Sequence, residues 1–131
     1  MEKILVIDDE SQIRKLIRQM LEQNGYEVSD ACDKQKGIDS FRQNPTDVVI
    51  IDLLLSQREA IETIVELKRF FMEVAIIIMS RDNETIDNEK LLAFTKPFGA
   101  VSVLAKPFKQ DDLLNAIEST LLATNKCQEE S

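Results

Sequence analysis

The chain contains no histidine, and it has only two cysteines and three glycines among its 131 residues. The absence of histidine excludes catalytic triads and metal sites that depend on an imidazole. Cys32 and Cys127 stand far apart without metal-site spacing, and two cysteines are too few for a disulfide framework. The glycines form no glycine-rich phosphate loop, and no apolar run is long enough to span a bilayer.

Acidic residues outnumber basic ones by 24 to 16, which gives a net charge of −8. Direct nucleic-acid binding uses lysine and arginine to neutralise phosphates, so we expect no nucleic-acid partner and, without an apolar span, no membrane association. The N-terminus MEKILVIDDE turns acidic after four apolar residues. A signal peptide has a basic start and a longer apolar region, so we predict a cytoplasmic protein.

Strand-like and helix-like segments alternate along the chain without an internal repeat or a linker. Short apolar runs predict strands at 3–7, 47–53, 74–79 and 99–104, and a weak alternation predicts one at 26–31. Apolar residues at helical spacing predict helices at 11–24, 33–43, 59–71 and 109–123, and the apolar residues 91–94 at the end of a polar segment predict one at 81–96. This alternation predicts an α/β fold with a parallel sheet covered on both faces. The predicted domain covers 1–124, and 125–131 form a polar tail.

In such a sheet, ligands bind beyond the carboxyl ends of the strands, so the residues that end the strands are candidates for a site. Four of the five predicted strands end in or near polar residues: Asp8, Asp9 and Glu10 at the first, Asp52 at the third, Ser80 at the fourth and Lys106 at the fifth. Asp52 lies inside the apolar run VVIIDLLL, where a carboxylate is costly to bury unless it is paired or coordinated. This placement favours a functional role for Asp52.

The chemistry of the combined set indicates phosphoryl transfer. Clustered carboxylates without histidine or thiolate favour Mg²⁺, and an aspartate can act as the nucleophile that forms an aspartyl phosphate. Mg²⁺ and Lys106 would neutralise the transferring group, and Ser80 would donate a hydrogen bond to one of its oxygens. Taken singly, Ser80 and Lys106 are weak signals, and Asp9 or Ser11 could simply cap the helix after the first strand.

Four stretches together resemble the response regulator receiver domain of two-component regulatory systems: ILVIDDE at 4–10, DVVIIDLLL at 47–55, IIIMS at 76–80 and GAVSVLAKPF at 99–108. The resemblance covers about residues 1–124. It implies a flavodoxin-like (βα)5 three-layer sandwich with five parallel strands in the order 2-1-3-4-5. It also implies a signalling phosphoprotein without external enzymatic turnover.

The resemblance assigns roles position by position. It implies Mg²⁺ ligands at Asp8, Asp9, Asp52 and the backbone carbonyl of Leu54, a phosphoacceptor at Asp52, and phosphoryl contacts at Ser80 and Lys106. The Lys106–Pro107 peptide is implied to be cis. KPF occurs at both 96–98 and 106–108, and only the second copy follows a strand and precedes a helix, so we assign Lys106.

The implied partners are proteins. The donor would be a phosphohistidine on a sensor histidine kinase or a histidine phosphotransfer protein. The output would be a changed affinity for a downstream protein target, through a population shift between two conformations, and a homodimer is compatible with it.

The chain departs from the family pattern at several places. Residues 56–60 lack the usual Pro-Gly turn, Arg81 replaces a small residue, and Val103 replaces the switch aromatic. About one extra helical turn separates Ser80 from Lys106, which predicts an atypical partner surface or an extended loop at 81–98. The resemblance implies that Leu54 and Asp82 flank the path of the attacking water. The apolar Leu54 predicts slow self-dephosphorylation.

Three other interpretations compete. A degenerate receiver, acting as a phosphorylation-independent interaction module, is favoured by Gln57, Arg58, Arg81 and Val103 and opposed by the full acidic, hydroxyl and lysine set. A haloacid-dehalogenase-like phosphatase needs a second acid two positions after the nucleophile, where Leu54 stands. A flavin or nucleotide carrier on the same fold would need a glycine-rich phosphate loop, which this chain lacks.

Overall fold

Five strands and four helices alternate in the computed structural model, which describes residues 2–52, 57–81, 93 and 95–130. The strands are β1 (Lys3–Ile7), β2 (Glu27–Ala31), β3 (Val48–Asp52), β4 (Ala75–Arg81) and β5 (Ala100–Lys106). The helices are α1 (Ser11–Glu22), α2 (Lys34–Gln43), α3 (Gln57–Phe70) and α4 (Gln110–Glu130), and a 3₁₀ turn covers Lys96–Phe98. Within these ranges, none of the helices combines the length and the apolar character needed to cross a membrane.

The strands form one sheet in the order β2-β1-β3-β4-β5, and every neighbouring pair is parallel. This arrangement confirms the predicted flavodoxin-like α/β fold and its strand order. Because all strands run the same way, their carboxyl ends meet at one edge of the sheet. The register brings Asp52 opposite Met79 and Arg81 opposite Lys106 at that edge.

Apolar side chains on the two faces of the sheet form two core layers. One layer packs against α2 and α3 and includes Ile38, Phe41, Ile64 and Leu67. The other packs against α1 and α4 and includes Ile17, Leu21, Leu113 and Ile117. The middle strands contribute to both layers because their side chains alternate between faces, which explains their continuous apolar runs.

Two glycines meet local steric requirements, one in the turn after α1 and one where α2 packs against β1. Gly25 adopts a positive φ of 86° in the turn after α1, a conformation that glycine reaches without steric cost. Gly37 lies in α2, where the helix crosses β1 closely. A Cβ atom at Gly37 would overlap Cδ1 of Ile7 and lie 2.7 Å from its Cγ1. The close approach of α2 to the sheet therefore depends on the missing side chain.

The structure corrects several predicted boundaries. Arg81 is the last residue of β4 rather than the first of a helix, because the ladder continues to the pair Arg81 and Lys106 beyond the apolar run. Residues 82–92 and 94 of that predicted helix lie outside the described residues. Most of the segment predicted to be atypical, 81–98, lies there too. Helix α4 continues to Glu130 instead of ending at 123, so residues 125–130 continue a helix.

Candidate functional site

Three charged side chains share one face of the sheet at its carboxyl edge: Asp8, Asp52 and Lys106. Each follows by two positions an apolar residue of the core layer beneath α1 and α4: Val6, Ile50 and Leu104. Side chains two residues apart along a strand point to the same face. The apolar pattern that buries these strands therefore also directs the three charged groups toward each other.

Lys106 joins the two aspartates directly. Its Nζ atom donates a hydrogen bond to Asp8 Oδ2 at 2.9 Å and lies 3.3 Å from Asp52 Oδ1. The side chains of Asp8 and Asp52 are 0% and 3% exposed, and that of Lys106 is 11% exposed. Buried charges of this kind persist when they are paired, because each alone would pay a large desolvation cost.

The charge on Lys106 is set by opposing effects. Burial disfavours the ammonium, but the hydrogen bond to Asp8 and the attraction of Asp52 outweigh it and raise the pKa of Lys106 above its ordinary value. Lys106 therefore stays protonated throughout the neutral range. It supplies one positive charge to two buried carboxylates.

The loop after β1 adds two more carboxylates. Oxygen atoms of Asp8, Asp9 and Glu10 all lie within 4.8 Å of one another, with Asp8 buried and the other two exposed. The backbone N–H of Glu10 donates to Asp8 Oδ1 at 2.9 Å. Glu10 occupies the N-cap position of α1, so the alternative that Asp9 or Ser11 caps this helix is wrong. Asp9 is thus available for another role.

This donor set suits a hard divalent cation. Carboxylate oxygens are the ligands that Mg²⁺ prefers, and Mg²⁺ commonly binds through one or two carboxylates while keeping several waters. Asp8 and Asp9 fit these requirements, and Asp52 lines the same cavity. Leu54, whose carbonyl the resemblance adds to the set, lies outside the described residues, and so does Asp82.

The cavity has a volume of about 270 Å³ and is lined by Ile7, Asp8, Asp9, Cys32, Asp33, Lys34 and Asp52. Three of these residues follow β2, and sequence reasoning missed them. The rule that selected the ends of the other four strands applies equally to β2, so the signal was present. Asp33 also caps α2, because its side chain accepts a hydrogen bond from the backbone N–H of Lys36 at 2.8 Å.

The remaining predicted residues lie in β4 and β5, with Ser80 and Arg81 at the carboxyl edge and Val103 further inside the sheet. Ser80 is buried in β4, one position beyond Met79, the ladder partner of Asp52. Val103 is partly buried and packs against the core layer beneath α2 and α3. Arg81 pairs with Lys106 through the backbone ladder. The Lys106–Pro107 peptide is cis, as predicted.

Comparison with known proteins agrees with this fold. The sequence pattern of the "Response regulator receiver domain" family matches residues 4–118. The sporulation initiation phosphotransferase F of Bacillus subtilis is 28% identical over 120 residues, which cover 92% of this chain and 94% of that protein. A probable transcriptional regulator, ycf27 of Guillardia theta, is 31% identical over 125 residues, 95% of this chain and 47% of the relative.

A solved structure shows the same likeness. The response regulator receiver domain protein from Clostridium thermocellum superposes with a TM-score of 0.79 at 32% identity, and the match covers 100% of both chains. The fold is thus a doubly wound α/β sheet with its polar site at the carboxyl edge. The chain belongs to the response regulator receiver domain family. It spans nearly all of some curated relatives and about half the length of others.

Proposed function

We propose that this receiver accepts a phosphoryl group on Asp52 from a phosphohistidine donor. A carboxylate oxygen of Asp52 would attack phosphorus, the P–N bond to the imidazole would break, and the histidine would leave and regain its proton. The observation that carries the proposal is the buried Asp52 carboxylate, which shares Lys106 with Asp8 next to the acidic loop. The negatively charged phosphoryl group would be stabilised by the Lys106 ammonium, which already lies beside Asp52.

The proposed metal is Mg²⁺, held by Asp8, Asp9 and Asp52, with the carbonyl of Leu54 added by resemblance. When bound, it would neutralise charge on the carboxylates and on the phosphoryl oxygens. Lys106 would pair with one phosphoryl oxygen, and the buried hydroxyl of Ser80 would donate a hydrogen bond to another. Each role is consistent with the position of these residues at the edge of the sheet.

The proposed output is a change in affinity for a protein target, not turnover of an external substrate. A sensor histidine kinase or a histidine phosphotransfer protein would supply the phosphoryl group. Val103 stands where the family has its switch aromatic, so any coupling between the site and the output surface would use other side chains. Arg81 and Asp82 remain proposed modulators. A cytoplasmic location and a homodimer stay predictions of the sequence.

Beryllofluoride, a mimic of the phosphoryl group, tests this proposal without a kinase. We expect it to raise the melting temperature of the wild type only when Mg²⁺ is also present, because a ligand that binds the folded state stabilises it. Asp52→Asn should abolish the shift, whereas Asp47→Asn, at the opposite end of β3, should leave it intact. A wild type that binds no beryllofluoride at saturating Mg²⁺ would support the degenerate interaction module instead.

A further inference from the structure

Arg14 of α1 contacts the acidic loop, which consists of Asp8, Asp9 and Glu10. Its Nη1 atom donates to the backbone carbonyl of Asp8 at 2.7 Å, and its Nε donates to Asp30 Oδ2 at 3.0 Å. The Arg14 side chain is 17% exposed, so most of it is shielded from water. One guanidinium therefore links the loop after β1 to the end of β2.

These contacts fix the backbone at Asp8 from both sides. The Asp8 N–H donates to the carbonyl of Ala31 at 3.1 Å, and the Asp8 carbonyl accepts from Arg14. Both partners are tied to the end of β2, since Asp30 directly precedes Ala31. The peptide between Asp8 and Asp9 is therefore held against a rigid strand. Its orientation determines where the Asp9 carboxylate points relative to that of Asp8.

We propose that Arg14 is a positioning residue that raises the affinity of the acidic loop for Mg²⁺. The inference rests on the proposed function, because it concerns the same metal site. The direction of the expected change in Mg²⁺ affinity distinguishes a positioning role from a purely electrostatic one. A positive charge near a cation site weakens binding by repulsion, so an arginine that acted only through its charge would lower the affinity. An arginine that holds the ligand-bearing peptide in place would raise it.

Arg18 provides a matched control one helical turn further along α1. Its Nη1 lies 3.1 Å from Asp30 Oδ1, and its Nε pairs with Glu22. It therefore shares the Asp30 partner and the charge of Arg14. Arg14 differs from Arg18 in its hydrogen bond to the Asp8 carbonyl. Removal of Arg18 thus reports the effect of lost charge near Asp30.

Isothermal titration calorimetry with MgCl₂ measures the Mg²⁺ affinity of the full chain. The proteins to compare are the wild type, Arg14→Ala, Arg14→Lys and Arg18→Ala. Arg14→Ala should weaken Mg²⁺ binding by about tenfold, the usual loss when a residue behind a metal ligand is removed. Arg14→Lys keeps the charge but cannot bridge Asp8 and Asp30 with one planar fork, so it should also lose affinity. Arg18→Ala should bind as well as the wild type or slightly better.

Melting temperatures without Mg²⁺ separate metal binding from folding, and Arg14→Lys, the milder change, supplies the readout if Arg14→Ala folds poorly. A wild type that binds Mg²⁺ while both Arg14 variants bind it equally well or better would overturn the role of Arg14. Equal losses in Arg14→Ala and Arg18→Ala would also overturn it. A wild type that binds no Mg²⁺ would instead overturn the proposed function, and this inference with it.

Discussion

Lys106 donates a hydrogen bond to Asp8 across 98 positions of sequence, at a distance of 2.9 Å. The same ammonium lies 3.3 Å from Asp52. One lysine from the edge strand β5 thus compensates two buried carboxylates from the central strands β1 and β3. The stability of the metal-free protein and the proposed chemistry of its site therefore depend on the same three side chains.

Replacing Lys106 should destabilise the metal-free protein strongly. Lys106→Met leaves two buried carboxylates without their shared cation, and breaking a buried ion pair from one side costs roughly 3 kcal/mol or more. Mg²⁺ should restore part of the loss, because a bound cation compensates the same carboxylates. Urea unfolding with and without Mg²⁺ measures both effects.

Lys109→Met serves as the control for that experiment, since Lys109 is an exposed lysine just after the same strand. It should change the free energy of unfolding by less than about 0.5 kcal/mol. If Lys106→Met were as stable as Lys109→Met without Mg²⁺, the shared-cation account of the site would be wrong.

The close crossing of α2 over β1 predicts a packing conflict. Gly37→Ala should lower stability by about 1 kcal/mol, because overlap with Ile7 costs more than the better helix propensity of alanine gains. Ile7→Val removes Cδ1, the nearer of the two overlapping atoms, and leaves Cγ1 in place. The double variant should therefore be more stable than the sum of the single changes predicts, by about 0.5 kcal/mol in a double-mutant cycle. Strict additivity would contradict the proposed contact.

The contribution of Lys68 to stability should depend on pH. This residue lies near the amino ends of the strands, away from the candidate site. Its Nζ donates to the carbonyls of Met72 and Val74, and burial lowers its pKa below the ordinary 10.5. Between those two pKa values the unfolded chain binds more protons at this residue, so its contribution to stability rises with pH. The stability difference between the wild type and Lys68→Met should therefore shift in favour of the wild type as the pH rises from neutral toward the ordinary lysine pKa of 10.5. A flat difference would refute a lowered pKa.

The lifetime of the phosphorylated form tests a prediction from the sequence. The apolar Leu54 offers no group to orient an attacking water, so the phosphorylated protein should persist for minutes or longer. Leu54→Asn or Leu54→Glu should shorten that lifetime severalfold. The decay of the phosphorylated mass after removal of the phosphodonor gives the rate. Complete hydrolysis within seconds in the wild type would contradict the prediction.

The alternation of strands and helices was predictable because it rests on periodicity. Continuous apolar runs identified β1, β3 and β4, whose side chains are buried on both faces. The ends of strands and helices were harder to predict where the backbone hydrogen bonding continues beyond the last residues of the apolar pattern. Strand β4 continues to Arg81 through ladder pairing, and α4 continues to Glu130 although the sequence after residue 123 has no apolar residues at helical spacing.

The site was predictable where charge interrupts a buried strand. Asp52 within its apolar run, and Asp8 just after one, are costly placements that signal function. Arg14 was not identified, because an arginine on a helix usually faces solvent, and its target is a backbone carbonyl that leaves no mark in sequence. Lys34 was missed because the end of β2 was not inspected as the other strand ends were.

Phosphorylation of Asp52 should require Mg²⁺. Intact mass after incubation with acetyl phosphate, with and without Mg²⁺, measures this directly for the wild type and Asp52→Asn. We predict a gain of one phosphoryl group in the wild type with Mg²⁺, and none without the metal or in the variant. No gain in the wild type, or the same gain in Asp52→Asn, would show that Asp52 is not the phosphoacceptor.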